Sequence, residues 1–275
     1  MKLSRHQLEL LPRESLHEAR NWSKADVSVA QWPPESGQRV VIKDLRKRPL
    51  WYRMLAGRYF LWREWRALCV LKDLDCIPNP VARPDADCFV IEHKLGRQME
   101  MIAPEAMPFG VSAKVERIVA LIHARGVTHG DLHSYNILVD ENGEVALIDW
   151  ATACVFGKNP SGAKRLAFEE WCALDERALA KVKIMLAPQE LTERERDLIQ
   201  NGGSRLYRFV KRFKTGYEKI RGVDAERIAS RAAKQELYLS RLSQAPQPPS
   251  QNGSLSKQGA SNSPNLSGTG ETQTQ

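Results

Sequence analysis

Two hydrophobic periods run through this chain, one of 3.6 and one of two. Val115, Ile118, Val119 and Ile122 recur between polar residues at helical spacing, which predicts an amphipathic helix. His123-Ala124-Arg125-Gly126 closes it, with Gly126 suited to the left-handed residue that ends a helix. Ile137-Leu138-Val139 and Val145-Ala146-Leu147-Ile148 then read as short strands. Asp140-Glu141-Asn142-Gly143 joins them, and its Asn-Gly favours a tight hairpin turn.

Upstream, Arg39-Val40-Val41-Ile42-Lys43 is a β-branched run that ends in a lysine. Val27, Val29 and Gln31-Trp32 read as the strand before it, with Pro33 to Gly37 as the turn between. Leu61, Trp65 and Leu68 share one face of a helix that also carries Glu64. Phe89-Val90-Ile91-Glu92 reads as a buried strand running into a polar linker through His93, Lys94 and Gly96. Later helices are expected over 175–185, over 193–200 and over 206–242 with an interruption near 222–224. Thr192 and Glu195 form a capping box for the second of these, and Asn201-Gly202-Gly203 stops it.

The chemistry lies on the predicted hairpin and just before it. His129-Gly130-Asp131-Leu132-His133-Ser134-Tyr135-Asn136 precedes the first strand, and Asp149-Trp150 follows the second. A hairpin returns the chain to its starting level, so Asp149 is expected close to Asn136. Two hard oxygen ligands side by side suit magnesium, which takes few protein ligands and keeps phosphate oxygens and water as the rest. One further carboxylate, Asp131, stands ready for an acceptor hydroxyl.

This set resembles the catalytic and metal-binding loops of the protein-kinase-like superfamily. His-Gly-Asp-Leu-His is similar to aminoglycoside and choline phosphotransferases, whereas Tyr135-Asn136 is similar to RIO-type kinases; bacterial lipopolysaccharide (Kdo and heptose) kinases share the compact style. Gly130 stands where eukaryotic protein kinases carry an arginine, and Trp150-Ala151 where they carry Phe-Gly. The resemblance implies an α+β, two-lobed fold, with a small β-rich lobe over 1–94 and a compact, mostly helical lobe over 95–244. It also implies roles: Asp131 as catalytic base, Asn136 and Asp149 on Mg2+, Lys43 on the α- and β-phosphates of ATP, and Glu64 holding Lys43. Glu92 and Lys94 would meet adenine through their backbone. His133 stands either against the γ-phosphate or as a hydrogen-bonded loop histidine, and His129 as a backbone organiser. Read without the resemblance, Lys43 is a solvated strand-end lysine and Glu64 a surface residue.

One expected feature is missing. No Gly-x-Gly-x-x-Gly precedes Lys43, and Gly37 is the first glycine of the chain. The phosphate-covering loop then falls between Ala19 and Asp26, where Asn21, Ser23 and Lys24 are the phosphate-friendly residues. The alternative to an active kinase is therefore a catalytically weak pseudokinase that senses nucleotide or acts as a scaffold.

Composition narrows the class. The last residues, from Ala245, are built from Gln, Ser, Asn, Pro, Gly and Thr, and read as a disordered tail over 245–275. No run approaches the ~20 apolar residues of a membrane span, and the N-terminus does not read as a signal peptide. Five cysteines, odd in number and without a Cys-x-x-Cys pair, fit a reducing, cytoplasmic setting.

The formal net charge is +8. Arg205, Arg208, Lys211, Arg212, Lys214, Lys219 and Arg221 alternate with aromatic and aliphatic residues. Such a segment either packs its apolar face and solvates its basic one, or meets an anionic partner at the inner face of a membrane or on RNA. The positive balance disfavours cationic drugs as acceptors. It favours ATP as donor and an anionic acceptor, a lipopolysaccharide core sugar or a protein serine or threonine.

Overall fold

The architecture was determined from a computed structural model, which describes residues 3–17, 24–34, 37–201 and 225–246. The basic segment 205–221 and most of the expected phosphate-covering loop lie outside the described residues, as does the tail from residue 247. The fold is α+β, with an antiparallel sheet in its N-terminal part and helices in the rest.

The chain opens with α1 (Arg5–Leu10), capped by a reciprocal Ser4–Gln7 box. Strands β1 (Glu14–His17), β2 (Asp26–Gln31) and β3 (Arg39–Asp44) follow, then the short helix α2 (Leu50–Tyr52), a π-helical turn (Arg53–Gly57) and α3 (Arg58–Leu71). Strands β4 (Pro80–Asp85) and β5 (Cys88–Glu92) complete a five-stranded antiparallel sheet ordered β1-β2-β3-β5-β4. The predicted Val27–Trp32 strand and the Arg39–Lys43 run are thus neighbours, with Lys43 opposite Val27 on one side and Phe89 on the other.

Period two sets which side chains face which layer. Val40, Ile42, Cys88 and Val90 point to one face, against Leu3 and Leu8 beside α1. Val41, Phe89 and Ile91 point to the other, where α3 lies. Lys43 shares that second face, so the sheet delivers its ammonium to α3. Leu61, Glu64, Ala67, Leu68 and Leu71 form the buried stripe of α3, and Glu64 is the one charged member. Trp65 packs on Phe89 at 5.7 Å between ring centroids.

Beyond β5 come β6 (Arg97–Gln98), α4 (Val111–Ala124), β7 (Val127–Thr128), β8 (Ile137–Val139), β9 (Val145–Leu147) and β10 (Cys154–Val155). Helix α4 buries Val111, Val115, Ile118, Val119 and Ile122, each such side chain being worth about 1.5–3 kcal/mol of transfer from water. β8 and β9 form the expected hairpin, with Ile137 opposite Leu147. Asp140 organises its turn by accepting from the N–H groups of Asn142 and Glu144 at 2.9 and 2.7 Å.

The helices that follow are α5 (Gly162–Leu186), α6 (Glu193–Gln200) and α7 (Ala225–Gln244). Here the expectation needs correction. The helix read over 175–185 begins thirteen residues sooner, directly after the 157–161 loop. Its first half is solvated along one side and carries little apolar periodicity, so the pattern emerges only where the helix becomes buried. The Thr192–Glu195 capping box is present as expected. Ala245 is buried and the carbonyl of Pro246 accepts from Arg196, so ordered packing runs to the edge of the expected tail. All five cysteines are free. No helix among the described residues is long and apolar enough to cross a membrane.

Candidate active site

The site forms where the β3–α3 unit meets the loop before β8 and the residues after β9. Lys43 Nζ lies 2.5 Å from Glu64 Oε1 and 3.4 Å from Asp149 Oδ1. The lysine and glutamate side chains are only 13% and 4% exposed, whereas Asp149 is 45% exposed. Burial pulls the Lys43 ammonium down, but Glu64 and Asp149 together outweigh it and its pKa is raised. Burial also pushes the Glu64 carboxyl up, with Lys43 opposing. A second carboxylate, Asp149, adds to the charge that sustains the ammonium. Lys43 in turn holds Asp149 below its ordinary carboxylate value, against the opposing effect of burial, and Lys24 adds to this.

Asp149 has φ = 61°, the one positive φ outside glycine among the described residues. A left-handed aspartate is uncommon, and the surrounding contacts hold it there. Ile148 N–H donates to the carbonyl of Asn136 at 2.9 Å, so the hairpin does return Asp149 beside Asn136. On the other side Arg63 donates to the carbonyl of Ala151 at 2.6 Å, tying α3 to the residues after Asp149.

Asn136 is 6% exposed. Its Nδ2 donates to the carbonyl of Asp131 at 3.0 Å and lies 3.2 Å from His133 Nε2. The amide nitrogen is therefore turned into the loop, and Oδ1 is left for a cation. Together with the Asp149 carboxylate this is an all-oxygen donor pair, the chemistry magnesium requires. Asp131 is accessible, with its side chain 58% exposed and Oδ2 3.7 Å from His133 Nε2. The His133 contact depresses the Asp131 pKa, against burial, so the carboxylate is ionised. His133 thus sits between Asp131 and Asn136, 3.7 and 3.2 Å from them.

His129 is fully buried. Its Nε2–H donates to the carbonyl of Ile148 at 3.0 Å and its Nδ1 accepts, at 3.4 Å, from Asp131 N–H. Burial lowers its pKa, so it is a neutral imidazole packed 4.7 Å from Trp150 between ring centroids. It bridges the loop before β8 to the segment after β9 that bears Asp149.

One residue of the site was missed in the sequence. Asp175, 1% exposed on α5, accepts from the N–H groups of His129 and Gly130 at 2.8 Å each, and from His123 Nε2 at 3.0 Å. It fixes the backbone that presents Asp131. Two of its three partners are main-chain amides and the third, His123, lies 52 residues away in the sequence, so no local pattern betrays it.

Glu92 ends β5, and its side chain accepts from Asn79 Nδ2 at 3.0 Å and from Lys94 Nζ at 2.7 Å. Burial would raise this carboxyl, but Lys94 and Asn79 hold it below its ordinary value. Both side chains are thus engaged with each other, and the backbone N–H groups of Glu92 and His93 donate to the carbonyls of Asn79 and Arg39 at 2.8 and 3.2 Å.

Residues 91–155 match the phosphotransferase enzyme family (APH). A curated relative, the probable SapB synthase of Streptomyces coelicolor, is 32% identical over 140 residues, or 43% of this chain. The alignment spans only 15% of that protein's length. Among solved structures, the Rio2 kinase–ADP/Mg2+–phosphoaspartate complex from Chaetomium thermophilum aligns with a TM-score of 0.48 and 14% identity, covering 86% of this chain and 72% of that one.

Proposed function

We propose that this member of the protein-kinase-like superfamily transfers the γ-phosphoryl group of magnesium–ATP to an alcohol. The observation that carries the reading is the convergence of Lys43, Glu64 and Asp149 within 3.4 Å, beside Asn136 and an exposed Asp131. Such transfer needs positioning and charge stabilisation more than covalent participation by the protein. Lys43, kept charged by Glu64, would neutralise the α- and β-phosphates. Asn136 Oδ1 and the Asp149 carboxylate would hold Mg2+, which when bound screens the charge that develops on the phosphates. Asp131 would orient the acceptor hydroxyl and take its proton, while His133 and Asn136 keep the loop in place. The backbone at Glu92 and Lys94 would receive adenine.

The acceptor is an anionic or neutral alcohol, either an envelope core sugar or a protein serine or threonine, in keeping with the net charge of +8. The lack of a glycine triad before Lys43 favours a second reading, a pseudokinase. The intact set of five polar residues argues for transfer. The test is label from γ-labelled magnesium–ATP added to a cell extract that is then fractionated into lipid, protein and RNA. Label confined to one fraction, and absent with Asp131→Ala, supports the kinase and names its acceptor class. No Asp131-dependent label in any fraction supports the pseudokinase.

A further inference from the structure

A second, half-open cavity, of about 370 Å³, lies on the outer side of α3, where it meets β10 and the start of α5. Its size is that of a small-molecule site. Three cations line it, Arg63, Arg66 and Lys164, and no carboxylate does. Tyr59, Trp62 and Trp171 provide aromatic walls.

Arg66 stacks over the Trp62 ring at 5.4 Å, and among the described residues neither it nor Lys164 has a carboxylate partner. The Nε of Arg63 is buried and without a hydrogen-bond partner there. Arg63 donates through Nη2 to the carbonyl of Ala151 and stacks over the Phe60 ring at 5.3 Å.

A guanidinium and an ammonium without carboxylate partners, beside aromatic planes, are suited to a phosphate carried on a ring or other flat organic group. The cavity also touches both arms of the candidate active site. Arg63 precedes Glu64 on α3 and holds the carbonyl of Ala151, two residues past Asp149. Trp171 packs on the catalytic loop so closely that a Cβ on Gly130 would lie 2.7 Å from its ring.

We propose that this cavity is a binding site for an organic phosphomonoester, separate from the site that would hold ATP. Arg63, Arg66 and Lys164 take the phosphate, and Tyr59, Trp62 and Trp171 take the organic part. Occupancy clamps α3 to the segment after Asp149 and so steadies the Lys43–Glu64 pair. The ligand is either a free metabolite or a phosphorylated side chain of this chain. Binding is read directly, so the inference does not rest on the transfer reading.

The experiment is calorimetric titration of the full chain with phenyl phosphate, before and after phosphatase treatment, with intact mass recorded each time. Phenol serves as the neutral comparator. Phenyl phosphate is expected to bind and phenol not. Arg66→Glu and Lys164→Glu, both at exposed positions, should each weaken binding tenfold or more, about what loss of one charge-assisted contact predicts. Saturating magnesium–ATP should not compete with it, which separates this cavity from the ATP site. Binding that emerges only after phosphatase, with a matching loss of mass, would identify the chain's own phosphorylated side chain as the occupant. No binding to the treated chain, or equal binding by wild type and both glutamate variants, would overturn the proposal. Hydrogen exchange over 149–156 should slow with phenyl phosphate bound; unchanged exchange would overturn the clamp.

Discussion

Asp175 accepts hydrogen bonds from the backbone N–H groups of both His129 and Gly130, at 2.8 Å each, and so joins α5 to the loop that presents Asp131. Asp175→Ala would leave two buried donors unpaired, at about 1–3 kcal/mol apiece. The expected result is a loss of about 3 kcal/mol in denaturant unfolding, together with a large loss of transfer. Asp175→Asn keeps one acceptor oxygen and should fall between. An alanine variant that unfolds at the wild-type midpoint would show that the loop is held by something else.

The Lys43–Glu64 pair makes a separate prediction. Lys43→Met removes the ammonium offered to the phosphates and should reduce transfer about a hundredfold, as loss of one preorganised charge-stabilising donor does. Glu64→Gln leaves Lys43 facing Asp149 alone and should cost less. Wild-type initial rates from Lys43→Met at saturating nucleotide would remove Lys43 from the machinery.

His129 sets a pH dependence. Its ordinary value is 6.5, and burial lowers it in the folded chain. Between the folded value and 6.5 the unfolded chain binds the extra proton, so stability rises with pH through that window and falls as pH drops below about 6.5. His129→Gln should flatten this limb of the unfolding free energy between about pH 7 and pH 5. The depressed carboxylates Asp131 and Asp149 act lower: their contribution is present above their ordinary value of 3.8 and is lost as pH falls through the folded values. An acid limb unchanged in His129→Gln would assign it to other groups.

Gly126 was legible in the sequence only as a helix terminator, and its φ of 68° agrees. The fold asks more of it. A Cβ there would sit 1.8 Å from the carbonyl oxygen of Gly157, where Phe156 and Gly157 donate back to the Gly126 carbonyl. Gly126→Ala should therefore cost well above the roughly 1 kcal/mol of an ordinary left-handed glycine. Thermal unfolding of the soluble variant measures it, and a midpoint matching the wild type would contradict the close approach.

These cases show which features the sequence could disclose. The β8–β9 hairpin, the lysine at the end of β3 and Glu64 in the buried stripe of α3 were legible because each rests on local periodicity or a turn residue. Asp175 and the contact of Gly126 with Gly157 were not, because they join main-chain groups far apart in sequence. The solvated first half of α5 was missed for another reason: a helix without a buried face has no apolar stripe to read. Glu92 illustrates a third limit, since its side chain serves Asn79 and Lys94 and leaves no mark of what the backbone does.

The central claim is that Asp131 serves the acceptor while Asp149 serves the nucleotide. The most direct test measures γ-phosphoryl transfer and magnesium–ATP affinity side by side for wild type, Asp131→Ala and Asp149→Ala. Asp131→Ala is predicted to abolish transfer while binding magnesium–ATP nearly as well as wild type, and Asp149→Ala to lose both. Equal transfer by wild type and Asp131→Ala, in a folded protein, would contradict the assignment of the base.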